Sequence, residues 1–165
     1  MSSNFIRDIY SMGLSPIHRK TYKGRYVPGP KYKGNRTNVI YRSSWERAVM
    51  KWLDSNSSVV SWSSEETMVP YLCGTDGRMH RYFVDFSIKF SNEKTYLIEV
   101  KPKKETLPPK VRKGKRQKTL IAETTSFIKN MSKWKAAKEY AEKRGCTFQV
   151  WTEDTLKNLG IKIFN

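Results

Sequence analysis

The chain has 165 residues, 38% of them hydrophobic and 13% aromatic, with a formal net charge of +17. That length buries one real core and leaves room for polar tails. No run approaches membrane-spanning length, and the start Met1 to Asp8 lacks the apolar centre of a secretory signal, so no membrane is expected as a partner; so cationic a chain points to nucleic acid.

The charge is unevenly spread. Residues 1–42 hold nine Lys/Arg against Asp8, and residues 101–118 hold nine against Glu105. The centre, 43–100, has six basic and eight acidic residues. Positive flanks around an acidic middle suit a protein that surrounds a polyanion while cutting it. Cys73 and Cys146 have no C-x-x-C spacing and would need His18 and His80 from elsewhere to form a zinc site. Reduced thiols in a reducing, intracellular compartment are the expected state.

In chain order, residues 3–13 read as a short amphipathic helix with Phe5, Ile9 and Met12 on one side, ending at Gly13. Residues 14–42 read as a basic arm, broken by Gly24, Pro28, Gly29, Pro30 and Gly34, that lies on DNA or on a partner protein. Its phosphate-contact candidates are Arg19, Lys20, Lys23 and Arg25. The expected organisation is therefore an N-terminal helix and arm over 1–42, then one domain over 43–165.

That domain opens with a helix over 43–54, where Ser43 and Glu46 have the S-x-x-E spacing of a capping box. Glu46 falls inside the apolar arc of this helix, so it either closes the cap or faces a metal site. Val59 to Trp62 and Met68 to Cys73 read as strands, followed by a turn at Gly74–Gly77. Then Tyr82, Val84, Phe86, Ile88 and Phe90 form one apolar row at period two, opposite Phe83, Asp85, Ser87 and Lys89. After a turn at 91–94, Tyr96, Ile98 and Val100 alternate with Thr95, Leu97, Glu99 and Lys101.

Strand geometry turns this alternation into chemistry. Residues two apart share a face at roughly 6.6 Å, and neighbouring strands lie about 4.8 Å apart. Glu99 and Lys101 therefore project side by side, and Asp85 and Glu99 can grip one hard cation. Mg²⁺ takes oxygen ligands and keeps several waters, so two carboxylates and a backbone carbonyl, such as that of Val100, suffice. Lys101 would stand beside the attacking water.

Pro102 and the Pro108-Pro109 pair argue for a loop over 102–118, and its cations argue for phosphate contact: Lys103, Lys104, Lys110, Arg112, Lys113, Lys115, Arg116 and Lys118. Residues 119–144 read as a helix with a core stripe of Phe127, Met131, Trp134 and Ala141, capped by Gly145. Cys146 to Trp151 is expected as a strand returned parallel by that crossover helix, with Gln149 a candidate for the site. Ile161 to Phe164 is expected as an edge strand. The fold class is α/β, with a central mixed sheet flanked by helices.

Glu46, Asp85 and Glu99-Val100-Lys101 resemble the helix glutamate, the aspartate and the E-x-K of the PD-(D/E)XK nuclease superfamily, with its restriction-endonuclease-like core. Val84 replaces the usual proline before the aspartate. Tyr41-Arg42-Ser43-Ser44-Trp45-Glu46 and Ile98-Glu99-Val100-Lys101 are similar to the endonuclease subunits of heteromeric transposases. The run Ser15 to Lys20 and the run Tyr26 to Lys31 resemble the head-completion nucleases of T-even-type tailed phages.

That resemblance implies Mg²⁺-dependent endonucleolytic hydrolysis of DNA, with Mn²⁺ as a substitute, leaving 5′-phosphate and 3′-hydroxyl ends. Asp85, Glu99 and the Val100 carbonyl would hold metal, Lys101 would handle the water, and Glu46 would support metal or water. It also implies trimming or conditioning of packaged DNA before the tail joins. The protein would work in the host cytoplasm or the virion head-neck region, beside portal, neck or other head-completion proteins. A non-catalytic DNA-binding assembly protein on the same scaffold, and a dimeric junction resolvase, are the alternatives.

Overall fold

The computed structural model describes residues 22–164. The helix expected over 3–13, together with His18, Arg19 and Lys20, lies outside the described residues. Strands β1 (Gly24–Arg25) and β2 (Ile40–Tyr41) precede helix α1 (Ser44–Ser55). Then come β3 (Val59–Ser64), β4 (Met68–Leu72), β5 (Met79–Phe83), β6 (Phe86–Phe90) and β7 (Thr95–Val100). Helix α2 (Gln117–Glu142), β8 (Thr147–Trp151) and the short α3 (Glu153–Asn158) complete the fold.

The central sheet has the order β3-β6-β7-β8, antiparallel except for the parallel β7–β8 pair. The parallel pair follows from the long crossover through α2. One sheet face packs on α1 through Val49, Met50 and Leu53, with Ile88, Ile98, Trp151 and Leu156. The other packs on α2 through Ala137 and Ala141, against Leu97, Tyr82 and Val84. Each large side chain so buried contributes about 1.5–3 kcal/mol. A mixed sheet covered on both faces is the restriction-endonuclease-like α/β arrangement that the motifs imply.

The apolar row expected to run unbroken from Tyr82 to Phe90 is interrupted. β5 pairs only with β4, as a separate two-stranded ribbon, while β6 joins the central sheet. The backbone bends at Val84–Asp85. Tyr82 and Val84 consequently pack toward α2, whereas Phe86 and Ile88, of the same parity, pack toward α1. Alternation continues along the chain, but the face it addresses changes at the bend.

Three further expectations need correction. From Tyr26 onward the stretch read as an arm on DNA or on a partner is laid on the chain's own core, while Lys23 and Arg25 before it stay exposed. Tyr32 and Val39 are buried there, and Lys31 and Lys33 bond through their backbones to Trp62. Asp54 of α1 holds this segment by accepting from Tyr26 Oη (2.8 Å), Gly29 N (2.9 Å) and Trp62 Nε1 (2.9 Å). Residues 161–164 form no strand; Ile161 is buried simply as a core side chain after α3. Finally, the α2 stripe is buried only at its C-terminal end. Trp134 and Ala141 are buried and Phe127 is half-buried, but Met131 is 45% exposed, because the fully buried part of α2 begins only at Trp134.

Helix α2 stops where Gly145 allows it. Gly145 takes φ +68°, and its N–H and that of Cys146 return to the carbonyls of Glu142 (3.2 Å) and Ala141 (2.9 Å). This is a Schellman closure, which favours glycine at the left-handed position.

Candidate metal and nucleic-acid site

The bend that splits the apolar row also builds the site. β6 and β7 pair Phe86 with Ile98, so one residue outward along this antiparallel register stand Asp85 and Glu99. Asp85 is fixed through both its backbone and its side chain. Its carbonyl accepts from Glu65 N (3.2 Å), and its Oδ2 accepts from Val100 N (2.8 Å). Burial pushes the Asp85 carboxyl well above the ordinary carboxylate range, and the Glu99 charge beside it pushes the same way. The Val100 N–H pulls it down, Glu46 adds to the rise, and Lys101 opposes it.

Glu99 is buried at 6% exposure on the face that looks toward α2. Its Oε2 accepts a 2.6 Å hydrogen bond from Tyr82 Oη. Lys101 Nζ stands 3.7 Å from Glu99 Oε1 and 3.9 Å from Glu105 Oε2. Glu46 approaches from the start of α1. Ser43 caps that helix by accepting from Glu46 N (3.1 Å), as the spacing predicts. The Glu46 carboxylate returns to Arg42 N (2.7 Å) and Ser43 Oγ (3.1 Å) rather than to the Ser43 N–H of a standard capping box. Burial also raises the Glu46 pKa, with the Arg42 N–H and the Ser43 hydroxyl pulling it back.

The four sequence candidates Glu46, Asp85, Glu99 and Lys101 thus share one neighbourhood. Val100 contributes a backbone N–H to Asp85. Gln149 does not join them: the parallel register sets it beside Ile98, on the α1 face, where Trp151 Nε1 donates to its side chain (3.1 Å).

The donor set fits a hard divalent cation. Two carboxylates held close in a dehydrated setting repel each other, and Asp85 Oδ1 takes no hydrogen bond among the described residues. One divalent ion between them would offset both effects, with oxygen ligands of the kind Mg²⁺ and Mn²⁺ prefer.

The basic loop over 102–118 begins with a 3-10 turn at Lys103–Thr106 and reaches the start of α2. With the front of α2 it encloses a cleft of about 960 Å³, into which Lys104, Lys110, Arg112, Lys113 and Lys115 face alongside Phe127. Two of the candidate cations are engaged. Lys103 pairs with Asp154 (2.7 Å) and Lys115 with Glu123. Arg112, Lys113, Arg116 and Lys118 are exposed and form no ion pair among the described residues. Lys23 and Arg25 are exposed beside β1.

Sequence reading missed several members of the neighbourhood. Tyr82 has the wrong parity to share a face with Asp85 on a straight strand, and only the bend brings it to Glu99. Arg42 and Glu65 form a bidentate pair at 3.0 Å that braces the segment bonded to Asp85. Glu65 itself sits at φ +54°. Lys133 lies 5.5 Å above the Tyr82 ring, so α2 roofs the site with a cation. The nearness of Glu105 to Lys101, four residues before it, was hidden inside a basic run.

Comparison with known proteins identifies the family. The model of the TnsA-like endonuclease N-terminal family matches residues 56–153. The head completion nuclease of Enterobacteria phage T4 is 42% identical over 147 residues, which span 86% of this chain and 97% of that protein. Both support a nuclease role. No helix among the described residues is long and apolar enough to cross a membrane.

Proposed function

The chain belongs to the TnsA-like endonuclease family, and on that premise we propose that it is a metal-dependent DNA endonuclease of phage head completion. In this reading it trims or conditions the packaged DNA end before tail attachment, next to portal or neck proteins. The observation that carries the proposal is the placing of Asp85 and Glu99 one residue beyond the Phe86–Ile98 pair that ends the β6–β7 register, with Lys101 3.7 Å from Glu99.

Asp85 and Glu99 would hold Mg²⁺ or Mn²⁺, with the Val100 carbonyl as the backbone ligand. The ion supplies Lewis acidity, lowering the pKa of water and offsetting charge on the phosphate in flight. The Lys101 ammonium, between Glu99 and Glu105, would orient the attacking water and stabilise the hydroxide it becomes, the proton leaving to solvent. Water attacks phosphorus in line, the P–O3′ bond breaks, and the products carry 5′-phosphate and 3′-hydroxyl. Glu46 orders the Arg42–Ser43 entry of α1 and adds negative charge beside Asp85. The exposed cations of loop 102–118 and Lys23 and Arg25 hold the DNA backbone without reading its sequence.

A panel of linear, flapped, gapped and four-way-junction DNAs, incubated with and without Mg²⁺ or Mn²⁺, tests the reading. Metal-dependent cleavage that vanishes in Lys101→Ala is expected. Binding without cleavage on every substrate would instead support a DNA-binding assembly protein.

A further inference from the structure

The turn that closes the β4–β5 ribbon gathers Cys73, Asp76 and His80, whose sulfur, carboxylate and imidazole donor atoms lie within 4.8 Å of one another. We propose that this turn is a second, separate metal site that takes one Zn²⁺ through Cys73 Sγ, Asp76 Oδ2 and His80 Nε2, with water as the fourth ligand. The site does not depend on the nuclease reading. It sits at the turn end of the ribbon, with His80 at the start of β5, whereas Asp85 follows that strand.

The donor types choose the ion. A thiolate and an imidazole suit zinc, while Mg²⁺ prefers oxygen alone. The same chemistry separates this turn from the all-oxygen pair of Asp85 and Glu99.

The turn is also built to aim its donors. Cys73 N donates to Arg78 O (2.9 Å) and Gly77 N to Cys73 O (2.8 Å), closing the loop around the sulfur. Arg78 N donates to Asp76 Oδ1 (3.0 Å), which orients that carboxylate and leaves Oδ2 toward His80. Such hydrogen bonds behind a ligand fix its direction. The His80 ring is tilted against Tyr71 with centroids 5.7 Å apart. Cys73 is only 1% exposed, whereas Asp76 and His80 are exposed, so the sulfur forms the floor and solvent gives the entry path.

Asp76 Oδ2 and His80 Nε2 now share a 2.7 Å contact. In a tetrahedral zinc site ligand atoms stand roughly 3.2–3.8 Å apart. An ion therefore requires these two exposed side chains to part by roughly 0.5–1 Å and the three donors, within 4.8 Å of one another, to close on one centre. Gly74 N, inside the turn, donates to Ser132 Oγ of α2 (3.1 Å). A bound ion would thus stiffen the ribbon where it meets the helix that roofs Tyr82.

The test is a titration of the reduced, metal-stripped full chain with Co²⁺. Binding should produce a thiolate-to-cobalt charge-transfer band and tetrahedral visible bands that saturate at a single ion per chain and are bleached by Zn²⁺ but not by Mg²⁺. Cys73→Ser should abolish the charge-transfer band. His80→Ala, an exposed change that spares the fold, should weaken Co²⁺ binding at least about tenfold. Cys146→Ser and Asp85→Asn should leave the spectrum unchanged. Absence of the band at excess Co²⁺, its survival in Cys73→Ser, or its loss in Cys146→Ser would each overturn the proposal.

Discussion

Tyr82 Oη donates 2.6 Å to Glu99 Oε2 across a gap between two different sheets. The phenol belongs to the ribbon and the carboxylate to the central sheet, so one short bond sets the position of the ribbon and the direction of a candidate metal ligand. Burial and the Glu99 charge keep this phenol protonated far above the ordinary tyrosine value, which makes it a permanent donor. Tyr82→Phe removes that donor with little change in volume. A buried hydrogen bond to a charged group contributes about 1.5–3 kcal/mol. The Mg²⁺ concentration for half-maximal cleavage should accordingly rise about tenfold or more, while metal-free DNA binding stays unchanged. A metal titration of cleavage beside a binding isotherm reads the two separately.

Asp85→Asn should end cleavage and yet stabilise the metal-free protein. It removes a carboxyl that burial and Glu99 both disfavour in its charged form, while an amide oxygen can still accept from Val100 N. Each kcal/mol relieved raises the melting midpoint of a chain this size by about 2–4 °C. Thermal melts without metal should show the increase, and addition of Mg²⁺ should stabilise the native chain more than the variant.

Stability of the metal-free protein should fall as pH rises above the ordinary carboxylate range. Asp85 and Glu46 hold their protons to higher pH folded than unfolded, so the native state binds more protons throughout that interval. The slope of unfolding free energy with pH is then negative, and it flattens once the raised groups have ionised. Divalent metal displaces those same protons. Mg²⁺ should therefore raise the melting midpoint more at about pH 8 than at about pH 6, as paired melts with and without the ion would show.

Replacing Arg112, Lys113, Arg116 and Lys118 together by Gln should flatten the salt dependence of DNA binding. Each phosphate that a cation no longer neutralises takes about 0.9 from the slope of log affinity against log salt. If all four side chains reach phosphates, the slope falls by about 3.6. Replacing Lys103 should do less, because Asp154 already engages it. Binding isotherms across a salt series measure both.

Asp54→Ala should leave the Tyr26 hydroxyl, the Gly29 N–H and the Trp62 indole N–H without their acceptor. Unsatisfied groups at about 1–3 kcal/mol each, partly relieved by water, amount to roughly 2–4 kcal/mol in all. A fall in melting midpoint of roughly 5–15 °C is expected, with Asp54→Asn intermediate.

Much of this was readable from residue order. The cap at Ser43, the period-two strands around Asp85 and Glu99, and the glycine closure after α2 are local, and local rules find them. The site fragment that depends on register, Asp85 opposite Glu99 beside Lys101, was equally accessible because one short turn joins the two strands. What escaped depends on how the chain leaves a straight path. No periodicity announces that the strand holding Tyr82 changes partner at Val84–Asp85. Nor does composition reveal that Asp54 draws Tyr26 and Gly29 onto α1, since glycine, proline and lysine read as arm wherever a distant anchor is unseen. Gln149 was misdirected for a similar reason: its face is decided by pairing with Ile98, which only the crossover fixes.

Asp85 sits at a joint, bonded to Glu65 on one side and Val100 on the other, with the ribbon hanging from it. Tilting that ribbon would carry Tyr82 and Asp85 together while Glu99 and Lys101 stay with the main sheet. Leverage on the surface hairpin would thus pull the acidic cradle apart without melting any helix.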